Sequence, residues 1–531
     1  MSEVYLERRP YNAAADFVEA NVARGLRDKP AFVDPQRTIT YGELQRKTCR
    51  FASGLLALGL RPEDRIALLM PDTVDYPVAF FGAIRAGIVV IPLNTWLNPE
   101  QHAFMLADSR VRAIVADASY AESLRKAAAS LASLRHVILT GPGAEAQPSL
   151  AGHTPLPFEA VCRMGADDVF VAPTLSDEVA FWLYTSGSTG EPKGVKHVQS
   201  SLMATAKLMG QGVLGIGADD VVLSAAKLFF AYGLGNAMSF PLSVGATAIL
   251  WPERPTPDAI FALMQKHHPT IFYAVPSLYA ALLAHDAMRR GAGSERLRLC
   301  VSAGEALPAH LGERWREVAG VDVLDGIGST EMLQTFLSNR PDDVRYGSTG
   351  KAVPGYELKI VDENGAELPP GEIGELVVRG PSAGEGYWNQ RRKSRVTFAG
   401  EWTFTGDKFY RDADGYYFYC GRTDDMFKVS GMWVSPFDVE AALISHEAVL
   451  EAAVIAKEDS DGLIKPKAFV VLKNGHAKDE TLLHELKEHV KARAGTWKYP
   501  RWIELRTDLP RTATGKVQRF KLREEEAGRA G

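Results

Sequence analysis

From residue 38 the chain switches regularly between two hydrophobic textures. Thr38, Ile39, Thr40 and Tyr41 alternate as a half-buried strand does, and Leu44, Phe51, Leu55 and Leu58 then recur at roughly helical spacing. A strand-like run at residues 65–70 follows, and then a helical stretch at 78–86 that stops at Gly87, a residue free to take the left-handed conformation of a helix end. The run Ile88, Val89, Val90, Ile91 before Pro92 has the continuous apolar character of a strand buried on both faces. The same alternation returns between residues 221 and 301, where apolar runs at 247–250 and 270–273 flank a helical stretch at 257–267. Strands alternating with helices predict parallel α/β layers, and no short-period repeat is present.

After Gly350 short strands separated by turn residues take over: 357–361, the turn Asp362-Glu363-Asn364-Gly365, then 374–379. Past Gly421 and Arg422, strand candidates at 451–455 and 468–472 surround an amphipathic stretch at 482–494. The expected fold class is α/β. A large N-terminal domain of layered sheets and helices (residues 1–423) would contain a β-rich subdomain at about 350–423, followed by a small, mobile α+β C-terminal domain (424–531) hinged at Asp424.

The 531 residues, 46% hydrophobic, suffice for several cores. The formal net charge is −5 and the basic residues are scattered, so the chain lacks the basic footprint of a nucleic-acid binder, and anionic partners must be met by local sites. Cys49, Cys162, Cys300 and Cys420 show no disulfide or zinc spacing and suit reduced thiols in the cytoplasm. The first ten residues have no apolar signal core, and no apolar run reaches the ~18 residues of a membrane span, so no membrane partner is expected. Oligomeric state is left open between monomer and homodimer.

The densest chemistry lies at Tyr184-Thr185-Ser186-Gly187-Ser188-Thr189-Gly190-Glu191-Pro192-Lys193-Gly194, directly after an apolar run at 179–183. Glycines let backbone N–H groups approach an anion, and the hydroxyls and Lys193 add donors. No GK[ST] closes the segment, so it is not a Walker loop. Taken alone, such a composition is also common in surface loops.

The segment resembles the phosphate loop of the adenylate-forming superfamily: acyl-CoA synthetases, peptide-synthetase adenylation domains and luciferases. Further signatures follow in the family's order: Gly328-Ser329-Thr330-Glu331, Trp402-Thr403-Phe404-Thr405-Gly406-Asp407, Gly421-Arg422-Thr423-Asp424-Asp425, Lys428-Val429-Ser430-Gly431, and Pro510 to Lys516. The resemblance covers the chain from about Tyr41 to Arg523. The resemblance implies ATP, Mg²⁺ and coenzyme A as cofactors and co-substrates.

It also implies roles. Lys516, Thr185 and Lys193 serve the adenylation step, Lys516 by entering the active site to meet the carboxylate and the bridging oxygen. Glu331 is the magnesium-associated glutamate, and Thr330 contacts the adenylate. Asp407 binds the ribose hydroxyls with Arg422 as companion. Adenine lies against Ser302-Ala303-Gly304-Glu305 and Asp325-Gly326-Ile327-Gly328, where Ile327 replaces the family's usual aromatic residue and would substitute aliphatic contact for stacking. The C-terminal domain turns at Asp424 to present Lys428, Ser430, Gly431, Met432 and Trp433 to coenzyme A. Read singly, Glu331 would be a solvated acid, Asp407 a turn cap, Gly431 a simple turn and Lys516 an exposed lysine.

Leu228-Phe229-Phe230-Ala231-Tyr232-Gly233-Leu234-Gly235 mixes aromatic and small residues, which suits either core packing or the wall of a flat apolar slot. By resemblance to benzoate-CoA ligases this segment, with Ile327, Gln334 and Thr335, lines the acid pocket, so a planar aromatic acid is expected. Gln334-Thr335 stands where a plain benzoate ligase is expected to carry histidine-isoleucine, a change that either admits a hydroxyl or amino substituent or alters packing behind the pocket. Competing readings are an aryl-adenylating enzyme that loads a carrier protein, disfavoured because only a short charged tail follows Lys516, and a non-catalytic nucleotide-binding protein, disfavoured because Lys193, Glu331, Asp407 and Lys516 are all present.

Overall fold

A computed structural model describes residues 10–128, 131–150, 152–186, 192–429, 432–460, 462–473, 475, 479–511 and 517–529. The chain forms two compact units, Met1–Glu357 with Val378–Thr403, and Leu358–Val377 with Phe404–Gly531.

The first unit contains two largely parallel sheets. In one, seven strands among the described residues follow the spatial order Leu156–Pro157, His136–Thr140, Ala113–Asp117, Arg65–Leu69, Val89–Pro92, Val179–Ser186, Pro192–Val198. In the other, nine strands run from Lys351–Ala352 through Thr335–Ser338, Val323–Gly328, Leu299–Ser302, Ile271–Ala274, Val221–Ser224, Thr247–Ile249 and Pro30–Val33 to Thr38–Thr40. The interior pairs are parallel; antiparallel pairs close both edges of the nine-stranded sheet and the Pro192–Val198 edge of the seven-stranded one, whose other edge is parallel. Continuous apolar runs such as Val89–Pro92 are buried at every position, as strands covered on both faces require.

Helix starts follow local chemistry. Thr40 and Glu43 form a reciprocal capping box at Tyr41–Ala57, and Asn98 with Gln101 forms another at Pro99–Ser109. Gly87 takes φ +73° just past Asp75–Arg85, as its position in the sequence predicts. Separate apolar cores back the two sheets, one around Ile91, Ile114 and Val137, the other around Phe272, Tyr279 and Trp315.

In the second unit, Val449–Glu458, Ile464–Leu472 and Trp502–Arg506 form a sheet packed against the helices Pro436–Ile444 and Glu480–Ala494. The helix Arg519–Arg529 buries Leu522 against Ala453 and Phe469. The unit boundaries fall inside the strands Gly374–Arg379 and Trp402–Arg411, so much of the expected β-rich subdomain groups with the C-terminal residues. Among the described residues no helix is long and apolar enough to cross a membrane.

Candidate active site

The hydroxyl- and glycine-rich segment opens a hairpin. Val179–Ser186 pairs antiparallel with Pro192–Val198 in a register that sets Thr185 opposite Lys193. Gly187, Ser188, Thr189 and Gly190 lie outside the described residues. A strand-like segment runs beside this hairpin: Lys196 N–H donates to the Gly386 carbonyl at 3.1 Å and Trp388 N–H to the Gly194 carbonyl at 2.8 Å, with Val195 bridged to Tyr387.

That third segment delivers a residue the sequence reading missed. The Tyr387 hydroxyl donates to Glu331 Oε1 at 2.7 Å. Lys193 Nζ lies 4.4 Å from the centre of the Tyr387 ring and 3.4 Å from its hydroxyl. Two expected charged residues thus share one phenol, which stands 56 positions from Glu331 in the chain. No local pattern marks it; only the aromatic pair Tyr387-Trp388 after Gly386 hints at a packed turn.

The loop bearing Glu331 is held from its backbone. His197 Nε2 lies 2.8 Å from the Thr330 carbonyl, which makes it the donor, and its ring stacks on Phe181. Burial pushes the imidazole down to about 4, so the ring is neutral. Ser329 Oγ accepts from Met332 N–H at 3.2 Å, and Gly384 N–H donates to the Glu331 carbonyl at 2.8 Å.

Ser302, at the carboxyl end of Leu299–Ser302, and Asp325 form the last parallel pair between their neighbouring strands, and open α/β sheets place ligands beyond such carboxyl ends. Ser302 Oγ and Asp325 Oδ1 are buried with no hydrogen-bond partner among the described residues. Burial holds the Asp325 carboxyl well above the usual carboxylate range. Buried polar atoms left open in this way are suited to a ligand's donors and acceptors. Ala303 is buried and Gly304 exposed, with Glu305 half-buried beside them. Gly326 is buried, Ile327 is half-buried opposite Leu337, and Gly328 is exposed at the strand end.

The aromatic segment forms a cluster of rings with an amide packed nearby. Phe229 and Phe230 meet edge to face at 4.6 Å, and Trp96 packs edge-on to both at 5.6 and 5.9 Å. Trp96, in a loop far away in sequence, is a second residue that local patterning could not supply. Ala231 and Tyr232 are half-buried and Gly233 is buried, and the Tyr232 hydroxyl donates to the Val301 carbonyl at 3.1 Å. The helix widens into a π-type turn at Gly235–Ser239, a distortion frequent at functional sites.

Gln334 packs into that turn. Its Nε2 donates to the Tyr232 carbonyl at 3.1 Å and reaches the Ala231 carbonyl and Asn236 Oδ1 at 3.4 Å; its Oε1 accepts from Thr335 N–H at 2.9 Å and Thr335 Oγ1 at 3.0 Å. Of the two alternatives left by the sequence, this geometry favours packing behind the pocket over a donor aimed at a ring substituent. Gly235 is there because a Cβ would stand 2.1 Å from Gln334 Nε2.

In the second unit Asp407 lies inside the strand Trp402–Arg411, where that strand pairs with Tyr417–Arg422. That register sets Asp407 opposite Arg422, and Arg422 Nη1 donates to Asp407 Oδ1 at 3.1 Å. Asp424 is exposed, and its neighbour Asp425 pairs with Arg523 at 2.7 Å and Arg519 at 3.5 Å. Trp433, on the strand Met432–Val434 beside the exposed Met432, has Lys428 Nζ 4.7 Å and Lys408 Nζ 5.6 Å from its ring. Ser430, Gly431 and Lys516 lie outside the described residues.

A cation and a carboxylate gathered beside a hairpin, with open polar atoms at the ends of parallel strands, define an anion- and nucleotide-handling enzyme. The sequence matches the AMP-binding enzyme family over residues 18–388 and the AMP-binding enzyme C-terminal domain over 438–516. The chain belongs to this family, the adenylate-forming superfamily.

Within it the chain is an AMP-forming acid–thiol ligase, similar over nearly its full length to particular relatives. It is 53% identical to a 4-hydroxybenzoate–CoA/benzoate–CoA ligase of Rhodopseudomonas palustris, covering 98% of this chain and 95% of that one. It is 50% identical to a benzoate–CoA ligase of Thauera aromatica, covering 97% and 96%. A solved structure of a benzoate CoA ligase from Burkholderia xenovorans LB400 matches with TM-score 0.88 at 49% identity, covering 97% of this chain and all (100%) of that one.

Proposed function

We propose that this ligase activates a planar aromatic acid, benzoate or a ring-hydroxylated benzoate, as its aryl-AMP and passes the aryl group to coenzyme A. The observation that carries the substrate reading is the aromatic cluster: Phe229, Phe230 and Trp96 pack edge to face, and the amide of Gln334 is engaged by Ala231, Tyr232, Asn236 and Thr335. Aromatic surface favours a planar ring, and an apolar slot separates close isosteres weakly, so benzoate and 4-hydroxybenzoate are both candidates.

A carboxylate oxygen of the acid attacks the α-phosphorus of ATP, and pyrophosphate leaves with the electrons of the broken P–O bond. Two anions meet in this step, so positive charge near the developing oxyanions lowers the barrier most. In this reading Lys516 meets the carboxylate and bridging oxygen, Thr185 and Lys193 hold the phosphates, and Asp407 with Arg422 binds the ribose. Ser302 and Asp325, with their open buried atoms, take the adenine edge. A protonated Asp325 carboxyl would offer a donor as well as an acceptor there.

Mg²⁺ fits the donor set: Glu331 offers carboxylate oxygens, and an ion that keeps water and substrate phosphates as its other ligands needs no protein cage. Once bound, it supplies charge neutralisation to the phosphates. In the second step the coenzyme A sulfur attacks the aryl-AMP carbonyl and AMP departs. The C-terminal residues would turn at Asp424 to bring Lys428, Ser430, Gly431, Met432 and Trp433 to the thiol's path.

Four cysteines, all buried and unpaired, support a reducing cytoplasmic setting. Sedimentation equilibrium distinguishes the two oligomeric alternatives, a homodimer showing as a doubled mass. The test of the function is AMP release with ATP, Mg²⁺ and coenzyme A across benzoate, hydroxy-, amino- and halobenzoates, cyclohexanecarboxylate and fatty acids. Turnover confined to benzoates is expected; preference for aliphatic acids would overturn the aromatic reading.

A further inference from the structure

We propose that Tyr387 is a positioning residue for adenylation, which sets Lys193 and Glu331 in place through one phenol. The inference rests on the adenylating role proposed above for those two residues.

Tyr387 is only 5% exposed, and it is held on every side. Its backbone runs along the hairpin through the bonds Lys196 to Gly386 and Trp388 to Gly194, its N–H donates to Ser394 Oγ at 2.9 Å, and its ring packs edge-on to Phe398 at 5.5 Å. A phenol so constrained has little freedom left to lose when it orients another group. Its hydroxyl, 2.7 Å from Glu331 Oε1, fixes the plane of that carboxylate. A partner behind a metal-associated carboxylate governs how the carboxylate is presented.

The ring face does the second task. An ammonium over an aromatic face is attracted by the quadrupole yet keeps its full charge. Lys193, 4.4 Å from the ring centre, is therefore restrained without being neutralised by the phenol. The hydroxyl also lies 3.4 Å from Thr397 Oγ1, a contact that belongs to neither charged residue.

Tyr387→Phe keeps the ring and removes only the hydroxyl. The kcat of benzoate-dependent ATP–pyrophosphate exchange is expected to fall ~10–100-fold, the range seen when a second partner of a metal ligand is lost, with the KM for benzoate nearly unchanged. Half-saturation by Mg²⁺ should move upward. Binding of a non-hydrolysable ATP analogue in Mg²⁺, followed by calorimetry, should weaken in parallel. Thr397→Val is expected to behave as wild type in both assays. Tyr387→Ala, which also removes the face under Lys193, should lose more than Tyr387→Phe, with circular dichroism checking that it folds.

A Tyr387→Phe enzyme with wild-type exchange and analogue affinity would overturn the proposal, as would a loss appearing equally in the benzoate KM or equally in Thr397→Val. If wild type exchanges with no carboxylic acid, the adenylating function fails instead, and the analogue-binding arm still decides whether Tyr387 sets the nucleotide site.

Discussion

The corner around Lys193, Tyr387 and Glu331 and the slot around Phe229 and Gln334 use polar side chains in opposite ways. At the corner, one phenol holds a carboxylate and a cation in place without neutralising the cation. At the slot, Gln334 directs its donors and its acceptor into the protein, and aromatic edges remain as the face. Charge must stay available where phosphates react. Polar valence must be consumed where an apolar ring is to lie, since an unpaired buried amide costs about 1–3 kcal/mol.

The largest expected effect separates the charged machinery from everything behind it. Lys516→Ala should slow aryl-AMP formation ~10²–10³-fold, as loss of one transition-state donor does, while thioesterification of supplied benzoyl-AMP continues. Asp424→Pro, which fixes φ at the proposed hinge, should give the mirror result: adenylation retained, thioester formation blocked. Rapid-quench measurement of each half-reaction checks both, and equal loss in the two halves for either variant would contradict the division of labour.

An intermediate effect tests the slot. Gln334→Ala should lower kcat/KM by ~5–100-fold, the equivalent of leaving a buried partner unpaired, and by a similar factor for benzoate, 4-hydroxybenzoate and 2-aminobenzoate. A loss confined to substituted rings would mean that Gln334 reads the substituent. Gly235→Ala, which drives a methyl into Gln334 Nε2, should be impaired alone and partly restored in the double variant with Gln334→Ala, the non-additivity expected of touching residues.

The effect expected to change turnover least concerns stability. His197 has its pKa depressed from 6.5 to about 4, so the unfolded chain binds the proton more readily between those values. Its contribution is fully present above pH 6.5 and is lost as pH falls toward 4, roughly 3 kcal/mol across the window. Replacing His197 with Asn should flatten that part of a Tm-versus-pH curve. An unchanged slope would show that His197 is not buried neutral against the Thr330 carbonyl.

The alternation of strands and helices and the stop at Gly87 could be read directly, because hydrophobic period and the glycine at a helix end are properties of neighbouring residues. Lys193, Glu331 and Asp407 are singled out only by resemblance, because they sit in short motifs whose order along the chain is itself the signal.

What the sequence left open depended on residues far apart. Tyr387 meets Glu331 across 56 positions, and Trp96 reaches the Phe229–Phe230 pair from another loop. The direction of the Gln334 side chain could not be decided until the π-type turn at Gly235–Ser239 and the strand Thr335–Ser338 were brought together. A local motif states which chemical groups a chain possesses. Only packing decides which of them are satisfied by the protein and which are left for a ligand.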